Sequence, residues 1–204
     1  MRSLLATLTI GRRLAAAFGA LCVLLVVVAG AGLIGVARQS EARTATVELN
    51  QLRDDVLELR YLDADVSGWL GYIFAEAVVD GTAAATAPDN VNMVGIDESR
   101  LAGYEVLDEL AAGDLTPAER TLVDTLRTGW DEYFALTDTM IAQLVIDTPA
   151  TTAEAYRLLT EDLDTAWSEL LDDTHALRVL VEQRVADLAA SSARVAAVSM
   201  TVIV

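Results

Sequence analysis

The chain has 204 residues, 53% of them hydrophobic, with 31 acidic residues against 14 basic ones. It contains one histidine, one cysteine and no lysine, so a His/Cys metal cluster, a Cys-His dyad or a P-loop cannot be assembled, and no metal, cofactor or enzymatic activity is expected. A net charge of −17 argues against nucleic acid as a partner.

Residues 1 to 13 read as a short cytoplasmic lead carrying Arg2, Arg12 and Arg13. From Leu14 to Ala37 run 24 uncharged residues, enough at about 1.5 Å per residue to cross a hydrocarbon core of roughly 30 Å. A transmembrane helix is therefore expected over residues 14 to 36. Ala29-Gly30-Ala31 resembles a signal-peptide cleavage site, but the apolar run continues to Val36, beyond the roughly 7 to 15 residues of a signal core. The arginines before the span keep the N-terminus cytoplasmic and place residues 37 to 194 outside the plasma or inner membrane. Cys22 lies inside the span, so the exported part has no disulfide. Ala31 and Gly35 offer a small-xxx-small contact between membrane helices.

After the membrane span no Gly or Pro cluster breaks the pattern until residue 80, so the first helix is expected to leave the membrane unbroken. Leu49, Leu52, Val56, Leu59, then Val66, Leu70, Ile73 and Ala77 alternate steps of three and four. This is a bundle seam, and Asp63 fills its one missing place. Residues 80 to 95, "DGTAAATAPDNVNMVG", read as the loop at the far tip. A second helix is expected from about Asp97 to Ala112, stopping at Gly113. Thr116-Pro117-Ala118-Glu119 then has capping-box register and starts a third, with Leu122, Leu126, Trp130, Tyr133, Thr137, Met140 or Ile141, and Leu144 on one face. Pro149 closes the connection, and Thr151 with Glu154 predicts the cap of a fourth helix carrying Leu159, Leu163, Ala166, Leu170, Leu177, Val181 and Leu188. Val195 to Val204 is apolar and uncharged, about 15 Å of helix, and is expected to begin a second span inside which the chain stops. The expected fold is all-α: an antiparallel up-down-up-down four-helix bundle whose first and last helices enter the membrane.

Within "YLDADVSGWLGYIF", residues 61 to 74, Asp63 sits one turn from Arg60, close to Trp69 and Tyr72. Arg60 with Asp63 suits a clamp on a carboxylate-bearing ligand, and Trp69 with Tyr72 suits an aromatic wall, with Arg53 as an outer candidate. The same pattern also fits an intrahelical ion pair, an aromatic core and a polar residue that selects one alignment of the seam. Asp54-Asp55 and Asp172-Asp173 read as solvated faces. His175, beside Leu171 and Arg178, reads as a partly exposed histidine without a role.

Three segments carry a family resemblance: "LTIGRRLAAAFGALCVLLVVVAGAGLIGV", Asp65-Val66-Ser67-Gly68-Trp69-Leu70-Gly71-Tyr72, and Leu115-Thr116-Pro117-Ala118-Glu119-Arg120. They resemble the N-terminal half of a bacterial methyl-accepting chemotaxis receptor with a four-helix-bundle sensing domain. The resemblance implies a homodimer along the first helix. It also implies a small-molecule ligand or binding protein near the dimer interface, and a displacement of the fourth helix on binding. The HAMP linker and kinase-gripping hairpin of such receptors are not in this sequence, so the output is an inference. The sensor region of a histidine kinase or cyclase shares these features, and a non-signalling membrane-anchored bundle is a further alternative.

Overall fold

In the computed structural model residues 9 to 203 are described, without the side chains of Arg13, Ala31, Ile34, Arg38 and residues 195 to 203. Arg2 in the lead therefore lies outside the described residues, as do the side chains of Ala31 in the small-residue contact and of the expected second span. The fold is all-α, with no strand among those residues. Its contacts divide the chain into Met1–Thr46 and Val47–Val204.

Helix α1 runs from Ile10 to Val79. Its N-terminal portion is long and apolar enough to cross a membrane, and none of that apolar stretch is buried. In the second unit the same helix buries Leu49, Leu52, Val56, Leu59, Val66, Leu70, Ile73 and Ala77, every apolar position of the three-four seam. Asp63 is buried among them.

Gly81, at φ 101, reverses the chain after α1 and leads into the single turn α2, Thr82–Ala85. Helix α3 spans Val91–Ala112 and starts several residues before the expected Asp97. The cause is Asn90, whose Oδ1 accepts from the backbone N–H of Asn92 at 2.8 Å, while its Nδ2 donates to Glu76 at 2.8 Å. A residue read as loop is thus the N-cap, and it also fastens the turn to α1.

Helix α4, Pro117–Ile146, has the expected capping box: Thr116 accepts from Glu119 N–H, and Glu119 accepts from Thr116 N–H. Helix α5, Pro149–Arg157, starts one turn before the expected cap. Thr148 and Thr151 form the reciprocal pair, because Pro149 at the first helical position needs no N–H partner, and Glu154 binds Arg157 at 2.8 Å instead. A π-helical turn, Leu158–Asp162, joins α5 to α6, Leu163–Ile203.

That turn corrects the expected register of the last seam. Ala155 and Leu158 are buried, and the next fully enclosed residue is Leu163, five positions on. An ordinary α-helix would rotate a five-residue step off the seam; the wider π turn absorbs the extra residue. Leu159, expected on the seam, is only partly buried.

Trp130, Tyr133 and Phe134 fill the centre from α4, and their rings meet at 5.2 to 5.5 Å. Gly103 of α3 lies directly under Trp130, so that a Cβ there would overlap the indole. Gly103→Ala is expected to destabilise the protein by about 1 to 3 kcal/mol through overpacking, although alanine favours a helix by about 1 kcal/mol over glycine. Urea unfolding followed by tryptophan emission checks this.

Candidate functional site

Asp63 occupies the position where the α1 seam lacks an apolar side chain, between Leu59 and Val66, and is 0% exposed. Two groups of α6 meet it. Thr174 Oγ1 donates to Oδ2 at 2.9 Å, and Trp167 Nε1 donates to the Asp63 backbone carbonyl at 2.8 Å. From α4, the fully buried Trp130 indole N–H favours the carboxylate electrostatically. It does not reach hydrogen-bonding geometry, so Trp130 Nε1 and Asp63 Oδ1 both lack a partner.

Burial raises the Asp63 pKa from 3.8 to about 6, outweighing the lowering by Thr174, Trp130 and the Arg60 charge. Tyr133 is pushed up as well, first by burial and then by the Asp63 charge. The folded chain therefore holds the Asp63 proton more tightly than the unfolded chain does. The resulting stabilisation is fully present below about pH 4 and is lost as pH rises through about 6, on the order of 3 kcal/mol in all.

The other candidates lie elsewhere on α1. Arg60 is exposed and acts on Asp63 only through space. The Asp63 carboxylate faces α6, so the two do not open onto a common solvent-facing cleft. Arg53 is half-buried and pairs with Asp54 at 3.1 Å. Trp69 and Tyr72 do come together: with Tyr61, Ala64, Asp65 and Gly68 they line an open groove of about 220 Å³. Tyr61 and Tyr72 are 68% and 64% exposed. Trp69 is held more firmly, its Nε1 donating to Asp65 Oδ2 at 2.8 Å and its ring covering Gly95 of α3. Ser99 Oγ donates to the same Asp65 oxygen at 2.6 Å. All six lining residues belong to α1, so the groove has one wall.

Several partners in these networks were not singled out from the sequence. Asp65 had a local signal, four residues before Trp69. Thr174 fills the gap between Leu170 and Leu177 in the last seam, as Asp63 fills the gap between Leu59 and Val66; two polar gaps in facing seams are a readable pairing. Ser99 and Trp167 had no comparable signal. Asp55, expected on a solvated face, is buried and accepts from Gln51 at 2.7 Å, and burial is the main cause of its raised pKa. His175 is exposed and meets Arg178 at 3.0 Å.

A second polar contact fastens α6 to the turn between α3 and α4. Glu119 is fully buried and accepts from Arg184 at 2.6 Å, while Arg184 also donates to the Asp114 carbonyl at 2.9 Å. By contrast, the exposed pairs Arg100–Asp138 and Arg127–Asp108 link α3 to α4 and contribute about 0 to 1 kcal/mol each.

No family model matches the chain, and no curated protein matches it. The chemistry of the site therefore rests on its own residues. Removing the cation from a buried pair strands the carboxylate, so Arg184→Ala is expected to cost about 3 to 5 kcal/mol. Arg60→Ala, on an exposed surface, should stay within about 0.5 kcal/mol. Denaturant midpoints of the two variants against the parent chain measure both.

Proposed function

We propose that the chain is the extracytoplasmic sensing input of a transmembrane receptor of the methyl-accepting chemotaxis type. In this reading residues 14 to 36 span the membrane from a cytoplasmic N-terminus. Residues 37 to 194 form an antiparallel up-down-up-down four-helix bundle from α1, α3, α4 and the run α5 to α6, and α6 enters a second span near Val195. One observation carries the reading. The two helices whose sequences run into apolar, uncharged segments, α1 and α6, are the two that Asp63 ties together through Thr174 and Trp167.

A sensor of this kind needs its input to bias the position of one membrane-entering helix against the other. Shifts of about 1 to 2 Å between packed helices are an established mode of switching, and a coupling of about 1 to 3 kcal/mol is sufficient for a graded response. A second copy packed along α1 supplies the wall that the Tyr61–Tyr72 groove lacks. Small residues at Ala64 and Gly68 allow close approach, and two exposed tyrosines present amphipathic surface. A small carboxylate-bearing ligand held between copies, with Arg60 near the groove's edge, is the binding mode we favour over capture of a binding protein.

The chain joined to the HAMP linker and signalling region of a characterised chemoreceptor tests this. The chimera is expected to control the kinase, and Tyr61→Cys or Tyr72→Cys, in a Cys22→Ser background, to cross-link between copies in the membrane. A chimera that never alters kinase activity, with no cross-link at either position, would remove the reading.

A further inference from the structure

Among the described residues Asp63 is the one fully buried carboxylate of α1, and it is hydrogen-bonded to α6. As an anion it receives a single full hydrogen bond, from Thr174, while Oδ1 and the Trp130 N–H that should satisfy one another remain unpaired. Among the described residues no cation pairs with it: Arg60, whose charge acts on it through space, is exposed on α1. As a neutral acid Asp63 fits better. Its own O–H can then donate to Thr174 Oγ1 across the 2.9 Å contact, and the charge that too few donors compensate is gone. No uncompensated charge then remains in the core.

We propose that Asp63 is a proton-binding latch between α1 and α6: the neutral carboxyl closes the contact with Thr174, and loss of the proton loosens it. The ligand is the proton itself, bound at Asp63 and released near neutrality. The direction of the Asp63 pKa agrees with this, since burial holds the proton against the opposing donors and Arg60. The groups facing the site are few. Helix α1 supplies Arg60, and α4 supplies Tyr133, which stays protonated throughout. On α6, Thr174 is flanked by Asp173, raised by burial and by Asp172, and by His175, which is turned to Arg178. Two conformations that bind a proton with different affinity are shifted by pH as by any other ligand. The latch rests on the receptor reading only for its consequence, the displacement of α6.

The full chain in lipid nanodiscs, diluted with unlabelled copies, can be spin-labelled at Glu58→Cys and Val179→Cys in a Cys22→Ser background. The α1 to α6 distance distribution is expected to be narrow and short at pH 5 and to lengthen or broaden toward pH 8, with a midpoint near 6. Asp63→Asn, which stays neutral, should hold the acid distribution at every pH. Thr174→Val, a change of nearly equal volume that removes the α6 partner of the latch in both protonation states, should leave the distance long or broad at every pH and guards against misfolding of the first variant. A distance unchanged from pH 5 to 8 overturns the latch and leaves the receptor reading standing. So does an Asp63→Asn chain that keeps the parent's pH response, since another of the acidic groups would then be responsible. A responsive distance alongside an inert chimera that shows no cross-link overturns the receptor reading alone.

Discussion

A carboxylate removed from water needs donors, a cation or a proton, and at Asp63 the chain supplies too few of the first and none of the second. The other three-four positions of the seam, from Leu49 to Ala77, are all apolar, and Asp55 is buried beside them at one end. Thr174 and Trp167 of α6 and Trp130 of α4 therefore become obligatory neighbours rather than interchangeable packing. A slip of one residue would carry Thr174 away from Asp63 and leave two buried polar groups unpaired, at about 1 to 3 kcal/mol each. One polar side chain thus selects a single alignment of three helices, which a continuous apolar stripe does not do by itself.

Other features of the second unit serve that alignment. The π turn at Leu158–Asp162 lets the seam step from Leu158 to Leu163, so that Leu170, Thr174 and Leu177 arrive in phase against α1. Arg184 fixes α6 again through Glu119 and the Asp114 carbonyl. The open groove along Tyr61, Gly68 and Tyr72 lies on a different side of the same helix. A ligand there and a proton at Asp63 would both act on α1.

Much of this was legible in the residues, for identifiable reasons. Three-four spacing identified the buried face of α1, including Asp63 as its polar interruption, because a seam position is set by helical geometry whatever occupies it. The Thr116–Glu119 box was readable because both partners are local. What escaped involved competition between neighbouring signals or contacts remote in sequence. Asn90 was hidden among loop-forming residues, although its side chain does the capping. Thr148 lost to Thr151 because Glu154 offered an attractive but unused box partner. The π turn had a trace only in the five-residue step from Leu158 to Leu163, which Leu159 masked by offering a regular alternative. Asp55 illustrates the limit of treating adjacent acids alike: successive side chains on a helix are about 100° apart, so one can face the core while Asp54 faces water.

The two polar interruptions, Asp63 and Thr174, connect the fold to its proposed use. In the proposed latch, a neutral carboxyl and an ionised, under-bonded one are two arrangements of the same contact, differing by one proton, between the helices that run into apolar segments. The account depends on Asp63 holding its proton well above the range of an exposed aspartate. The most direct measurement is the carboxyl ¹³C shift of Asp63, assigned by loss of its signal in Asp63→Asn and followed through a pH titration of the folded full chain. A midpoint near 6 is the predicted result. A midpoint at or below the 3.8 of an ordinary aspartate would contradict it, because the carboxylate would then be well solvated or fully partnered.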